Sequence, residues 1–168
     1  MKRSKFKFFA VAAACFCVIG ILAAGFMSYA DSTVYRPMTK AETERCDQIT
    51  VSIYRSGTIS AGDLDWMLEM LQTPSWTGEA EQTQMRHLEV MVAFKKLRSF
   101  APGQKEQLYE ATSGYLSHNN RYEPVGAMAV MRAIKDKRAV PAVTVLLNSS
   151  SDFTRKMAQK TLEVLKTS

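Results

Sequence analysis

The chain has little with which to do chemistry. Only two of its 168 residues are histidines, His87 and His118, and neither has a further metal ligand three or four residues away or a Cys-x-x-Cys neighbour. The spacings that bind zinc are therefore excluded. No Gly-x-Ser-x-Gly, phosphate-cradling glycine loop or His-Glu-x-x-His run occurs, which removes the local signatures of α/β-hydrolases, P-loop enzymes and zinc proteases. Cysteine is scarce as well: Cys15 and Cys17 fall in an N-terminal apolar run, so only Cys46 remains beyond residue 30. No intrachain disulfide can staple that remainder, and its stability must come from packing. Period-two alternation is missing, Thr50 to Tyr54 being the one doubtful run, so no sheet is expected. The carboxylate pairs Asp63/Asp65 and Glu79/Glu81 fall at expected helix N-termini, where the helix dipole stabilises negative charge. No catalytic, metal or cofactor residue is expected, and both histidines are assigned to the surface or to helix ends.

A targeting segment accounts for much of the chain's positive charge. Lys2, Arg3, Lys5 and Lys7 precede an apolar run from Phe8 to Met27, and Ser28-Tyr29-Ala30 then sets small residues before Asp31. That is the layout of a signal peptide over 1–30 cleaved between Ala30 and Asp31, or of an anchor that is retained. Either way the rest lies outside the cytoplasmic or ER membrane, periplasmic, secreted or anchored facing outward. Without this segment the formal charge falls from +6 to +2, with 18 basic and 16 acidic residues. Nucleic acid is then not an expected partner. The remainder is polarised: residues 31–94 carry 5 basic and 10 acidic residues, residues 95–168 carry 13 and 6. That imbalance suggests end-to-end contacts or an acidic partner for the basic half.

The remaining length suits one domain, with 31–38 as linker and 39–168 as the folded part. Thr39 and Glu42 have capping-box spacing, and Gly57 follows as a stop. Cys46, Ile49 and Ile53 share one helical face, which makes Cys46 a buried apolar group. Ser60 opens the next helix, which carries Leu64, Met67, Leu68 and Leu71 on one side. The segment from Glu79 to Arg98 is apolar over more than half its circumference, so it is expected to be the longest and most central helix. Pro102, Pro124 and Pro141 suit helix starts. Seven helices are expected in all.

A shift of 31 residues lays the last helix on an earlier one: Ala158 falls on Ala127, Leu162 on Met131, Leu165 on Ile134 and Lys166 on Lys135. A shift of 37 lays Ile134 on Leu97 and Lys135 on Arg98. Stacked helix pairs produce such self-similarity, because one pair cannot bury its apolar face alone. The small Ala127 and Ala158 would let paired helices approach closely, and seven methionines between Met67 and Met157 suit irregular gaps.

The last unit, DKRAVPAVTVLL followed by a polar turn and TRKMAQKTLEVL, resembles the HEAT-like repeats of the phycobilisome-lyase type. Asp136, Arg138, Ala139, Val140 and Pro141 match the family's first element, and Arg155, Ala158 and Leu162 its second. Thr154, Met157 and the Ser149-Ser150-Ser151 turn depart from it. The resemblance implies an all-α fold, a short right-handed α-solenoid of about three HEAT-like helix pairs preceded by one extra helix, that binds proteins. It does not imply lyase chemistry. The expected function is thus an exported, non-catalytic mediator of protein–protein interaction. The alternatives are a membrane-anchored envelope assembly or scaffold factor, touching the membrane only through a retained N-terminal segment, and an enzyme or enzyme subunit. Equivalent repeat positions stack into ridges, and Arg98, Lys135 and Lys166, with Lys95, Arg132 and Glu163 in the adjoining row, form a mostly basic ridge suited to an acidic protein, polysaccharide or lipid headgroups. Trp76, in the loop beside Pro74, is a further contact candidate. Asn148 begins a glycosylation sequon.

Overall fold

A computed structural model of the chain describes residues 38–72 and 80–167. The expected signal segment, the expected cleavage site at Ala30 and Asp31, the expected linker up to Pro37, and Trp76 lie outside these residues. The described part is all-α, and no strand occurs among the described residues. Thr50 to Tyr54, the one run with strand character, is helical.

Among the described residues seven α-helices follow in order: α1 (Lys40–Ser56), α2 (Ala61–Gln72), α3 (Ala80–Phe94), α4 (Gln104–Ser113), α5 (Glu123–Ile134), α6 (Val140–Val145) and α7 (Asp152–Lys166). Short 3-10 turns at Gly114–Ser117, Lys137–Ala139 and Leu146–Asn148 complete α4 and bracket α6. Local chemistry sets most of the boundaries. Glu42 N–H donates to Thr39 Oγ1 at 3.2 Å and Thr39 N–H donates to Glu42 Oε2 at 2.8 Å, a closed capping box that satisfies two otherwise orphaned donors. Ser60 caps α2 and Ser151 caps α7, accepting from Asp63 N–H at 3.1 Å and Thr154 N–H at 3.2 Å.

α1 ends at Gly57, whose φ of 72° is left-handed and favours glycine. A second constraint applies there, because a Cβ on Gly57 would lie 2.9 Å from Cγ and Cδ of Arg98. Arg98 N–H donates to Gly57 O at 2.8 Å. That bond explains why α3 stops at Phe94 instead of running to Arg98. Its end tightens into i→i+3 bonds, from Lys96 N to Ala93 O at 2.8 Å and from Leu97 N to Phe94 O at 3.1 Å, and the next donor is taken by the end of α1.

α3 is not the most enclosed helix, nor is it the longest. Among the described residues α1 has 17 residues and α3 has 15, and Met85 on α3 is 45% exposed. The centre is α5, on which every residue from Glu123 to Met131 is buried. It packs on α3, α4 and α7, so no side of it is left to solvent. Gly126 permits the tightest approach, since a Cβ there would lie 2.7 Å from Met91 Cε and 3.1 Å from Met91 Cβ. Ala127 and Ala158 are fully buried, as their size suggests. α1 packs on α3, α3 on α5, and α5 on α7; α2 lies against α3 and α4, α4 against α5, and α6 against α7. Cys46, Ile49 and Ile53 bury the inner face of α1, and burial raises the Cys46 thiol pKa.

Candidate functional site

The cations singled out by the repeat divide into two groups. Lys95 lies in the turn after α3, Arg98 in the irregular segment beyond it, Lys135 at the C-cap of α5 and Lys166 at the last position of α7. Arg98 and Lys95 are thus beyond the helix that was expected to carry them. All four are exposed, and none makes an ion pair with a described residue. Lys135 holds a left-handed conformation, φ 57°, uncommon without glycine. Arg132 differs: half-buried, it points Nη1 at Thr161 Oγ1 at 2.6 Å and ties α5 to α7, and desolvation lowers its pKa. It does not join the others, and the adjoining row of the ridge is broken there.

Free positive charge is concentrated in the second half. Among the described residues before Lys95, Lys40, Arg45 and Arg86 all face carboxylates within 3.7 Å, leaving Arg55. From Lys95 onward, Lys95, Lys96, Arg98, Lys135, Lys137, Lys160 and Lys166 are exposed with no acidic partner among the described residues. Such a surface attracts anionic groups and orients them during encounter.

Arg138, the arginine of the repeat-like motif, is half exposed but engaged by partners within the molecule. It donates to Glu106 at 2.7 and 2.8 Å and to Asp136 at 2.7 Å, and its guanidinium lies 3.8 Å from the Tyr109 ring centroid. One side chain thereby joins α4 to the turn between α5 and α6. Hydrogen bonds from Arg138 are the leading reason that the pKa of Asp136 and of Glu106 is lowered.

A polar node that the sequence did not reveal lies at the start of α5. Glu123, with its side chain 8% exposed, receives His87 Nδ1–H on Oε1 at 2.6 Å and His118 Nδ1–H on Oε2 at 2.7 Å. Asn120 also donates to Oε2, while its Oδ1 accepts from the N–H groups of Tyr122 and Glu123 at 3.0 and 2.9 Å. The Tyr115 ring leans on both imidazoles, centroids 5.4 and 4.9 Å away, and its hydroxyl donates to Leu71 O. His87 therefore belongs to the interior, at 5% exposure, not to the surface where the sequence placed it. Burial pushes the Glu123 pKa up, but donation by His87, His118 and Asn120 outweighs it and holds the carboxyl at about 2. Burial, and then the Glu123 charge, push the Tyr115 phenol up to about 12.

Both Glu123 oxygens are engaged by side-chain donors, and no group of three His, Cys, Asp or Glu residues among those described is disposed to hold a metal ion. The node joins α3, the turn after α4 and the start of α5. That makes it a cross-link for the fold. Asn120 and Glu123 have a helix-start spacing that a sequence can display, whereas His87 is 36 residues away and no local period announces it. An open cleft of about 410 Å3 lies elsewhere, between α1 and α3, lined by Asp47, Thr50, Tyr54, Arg86 and Glu89. The chain matches no family model, no curated protein and no solved structure.

Proposed function

We propose that the chain is an exported, non-catalytic helical-repeat protein that holds an acidic protein partner against its basic half. The observation that carries this reading is the set Lys95, Arg98, Lys135 and Lys166, exposed at or beyond the ends of α3, α5 and α7 and without acidic partners among the described residues. Cations at helix C-termini complement the helix dipole, and that role alone would leave the rest of their charge free. The finer architecture belongs to the same proposal. Successive packing of α1, α3, α5 and α7, with α2, α4 and α6 beside them, supports a short right-handed α-solenoid of HEAT-like pairs in which α1 is the extra helix. Export rests on the N-terminal charge and apolar pattern.

The test is affinity capture of the full chain from its native envelope, comparing the parent with Arg98→Glu/Lys135→Glu/Lys166→Glu. The parent should retain a protein of acidic surface, with retention falling as salt is raised, and the triple reversal should lose it. Equal retention by both chains would place the contact elsewhere.

A further inference from the structure

α1 and α7 are the two outer members of the succession α1–α3–α5–α7, and each gives one face to the core. α1 buries Cys46, Ile49 and Ile53; α7 buries Thr154, Ala158, Thr161, Leu162 and Leu165. With 3.6 residues per turn, Lys40, Glu44, Asp47 and Val51 fall on one stripe on the opposite side of α1. Phe153, Lys156, Lys160 and Glu163 fall on one stripe on the opposite side of α7. All eight are exposed, Val51 at 46% and Phe153 at 59%. Single exposed apolar residues are ordinary. What distinguishes these two is that each ends a stripe of ordered charge.

Run antiparallel, the stripes complement each other at every position. Val51 meets Phe153, Asp47 meets Lys156, Glu44 meets Lys160 and Lys40 meets Glu163. The lengths agree, at about 16.5 Å along α1 and about 15 Å along α7 for a rise of 1.5 Å per residue. Neither stripe complements itself: α7 against α7 sets Lys156 on Lys160, and α1 against α1 sets Glu44 on Asp47. A symmetric pairing through either end is thus opposed by like charges, and a head-to-tail pairing is not. The polarity of the sequence agrees, with a net −5 over residues 31–94 and +7 over residues 95–168. Of the contacts these side chains now make, Lys40 with Glu44 at 3.7 Å and Lys156 with Asp152 at 2.8 Å are exposed pairs that exchange at small cost; Asp47 lies 3.4 Å from Arg86, which is 22% exposed and also holds Glu89 at 2.9 Å.

We propose that a second copy of this chain docks at the outer face of α7, presenting its α1 antiparallel, so that copies join head to tail. The interaction is independent of the acidic partner proposed above, because it uses the outer faces of α1 and α7 and not Arg98, Lys135 or Lys166. The experiment pairs two differently tagged full chains, both carrying Cys15→Ser and Cys17→Ser, one with Val51→Cys and the other with Phe153→Cys, and treats them with a short bis-maleimide. Cys46 is buried and serves as the unreactive background. The mixed product should exceed both same-site products. Lys156→Glu/Lys160→Glu in the second chain should lower it about five-fold, the worth of two exposed ion pairs, and Glu44→Lys/Asp47→Lys in the first should restore it, which misfolding could not produce. Absence of the mixed product, or dominance of the Phe153→Cys pair with itself, overturns the proposal. Protection of Phe153→Cys from maleimide by anionic vesicles, without any mixed product, overturns it in favour of a membrane surface.

Discussion

Arg132 and Lys135 stand one turn apart on α5, and they are used in opposite ways. Arg132 is drawn between α5 and α7, where it holds Thr161; Lys135 caps the same helix with its charge in solvent. The contrast extends to whole regions. At Glu123, where several elements close around a charge, both carboxylate oxygens are matched and the group holds the fold together; Arg138, half exposed, does the same through Glu106 and Asp136. At or past the helix ends, Lys95, Arg98, Lys135 and Lys166 have no acidic partner among the described residues and the fold does not depend on their charges. A partner within the fold, and not residue type, separates structural from available charge in this molecule.

Substitutions can break that contrast, and the largest effect is expected at Glu123. Glu123→Ala leaves His87, Asn120 and His118 without their common acceptor and should cost about 3 kcal/mol, measured by urea unfolding of the full chain. The pH dependence has a definite sign. The Glu123 carboxyl has its ordinary value of 4.5 lowered to about 2 in the folded chain. Its contribution is therefore fully present above about pH 4.5 and is lost as pH falls toward 2, amounting to about 3 kcal/mol in all. Glu123→Gln should remove that part of the acid-induced loss. An acid limb equally steep in parent and variant would show that other groups set it.

Next in size is Gly126→Ala. Helix propensity favours alanine by about 1 kcal/mol, but the added Cβ would lie 3.1 Å from Met91 Cβ, which is fixed to the α3 backbone. Overpacking costs about 1 to 3 kcal/mol, so the net effect should be a loss near 1 kcal/mol in the unfolding free energy. A gain would show that α3 and α5 separate easily. Arg138→Ala should cost less, about 1 kcal/mol or below, because half of the Arg138 side chain and half of that of Glu106 face water.

How much was readable beforehand follows the same division. The capping box at Thr39 and Glu42, the stop at Gly57, the caps at Ser60 and Ser151 and the prolines at the starts of α5 and α6 are local signals, and the helices form where they indicate. The buried face of α1 was legible too, since Cys46, Ile49 and Ile53 repeat at helical spacing. The end of α3 was not, because it is decided by a backbone bond from Arg98 to Gly57, 41 residues earlier in the chain. The same applies to His87 and Glu123: two residues far apart in sequence meet only once α3 lies on α5. Gly126 reads as a weak point in a helix until Met91 is seen above it. Arg132 and Lys135 look alike in sequence, and only Thr161 on a later helix tells them apart.

The most direct measurement is the urea-unfolding free energy of the full chain carrying Arg98→Glu, Lys135→Glu and Lys166→Glu together. If these charges are spare to the fold, the triple variant should unfold within about 0.5 kcal/mol of the parent. A loss near the roughly 3 kcal/mol expected for Glu123→Ala would mean that the exposed cations hold the structure themselves and are not free for a partner.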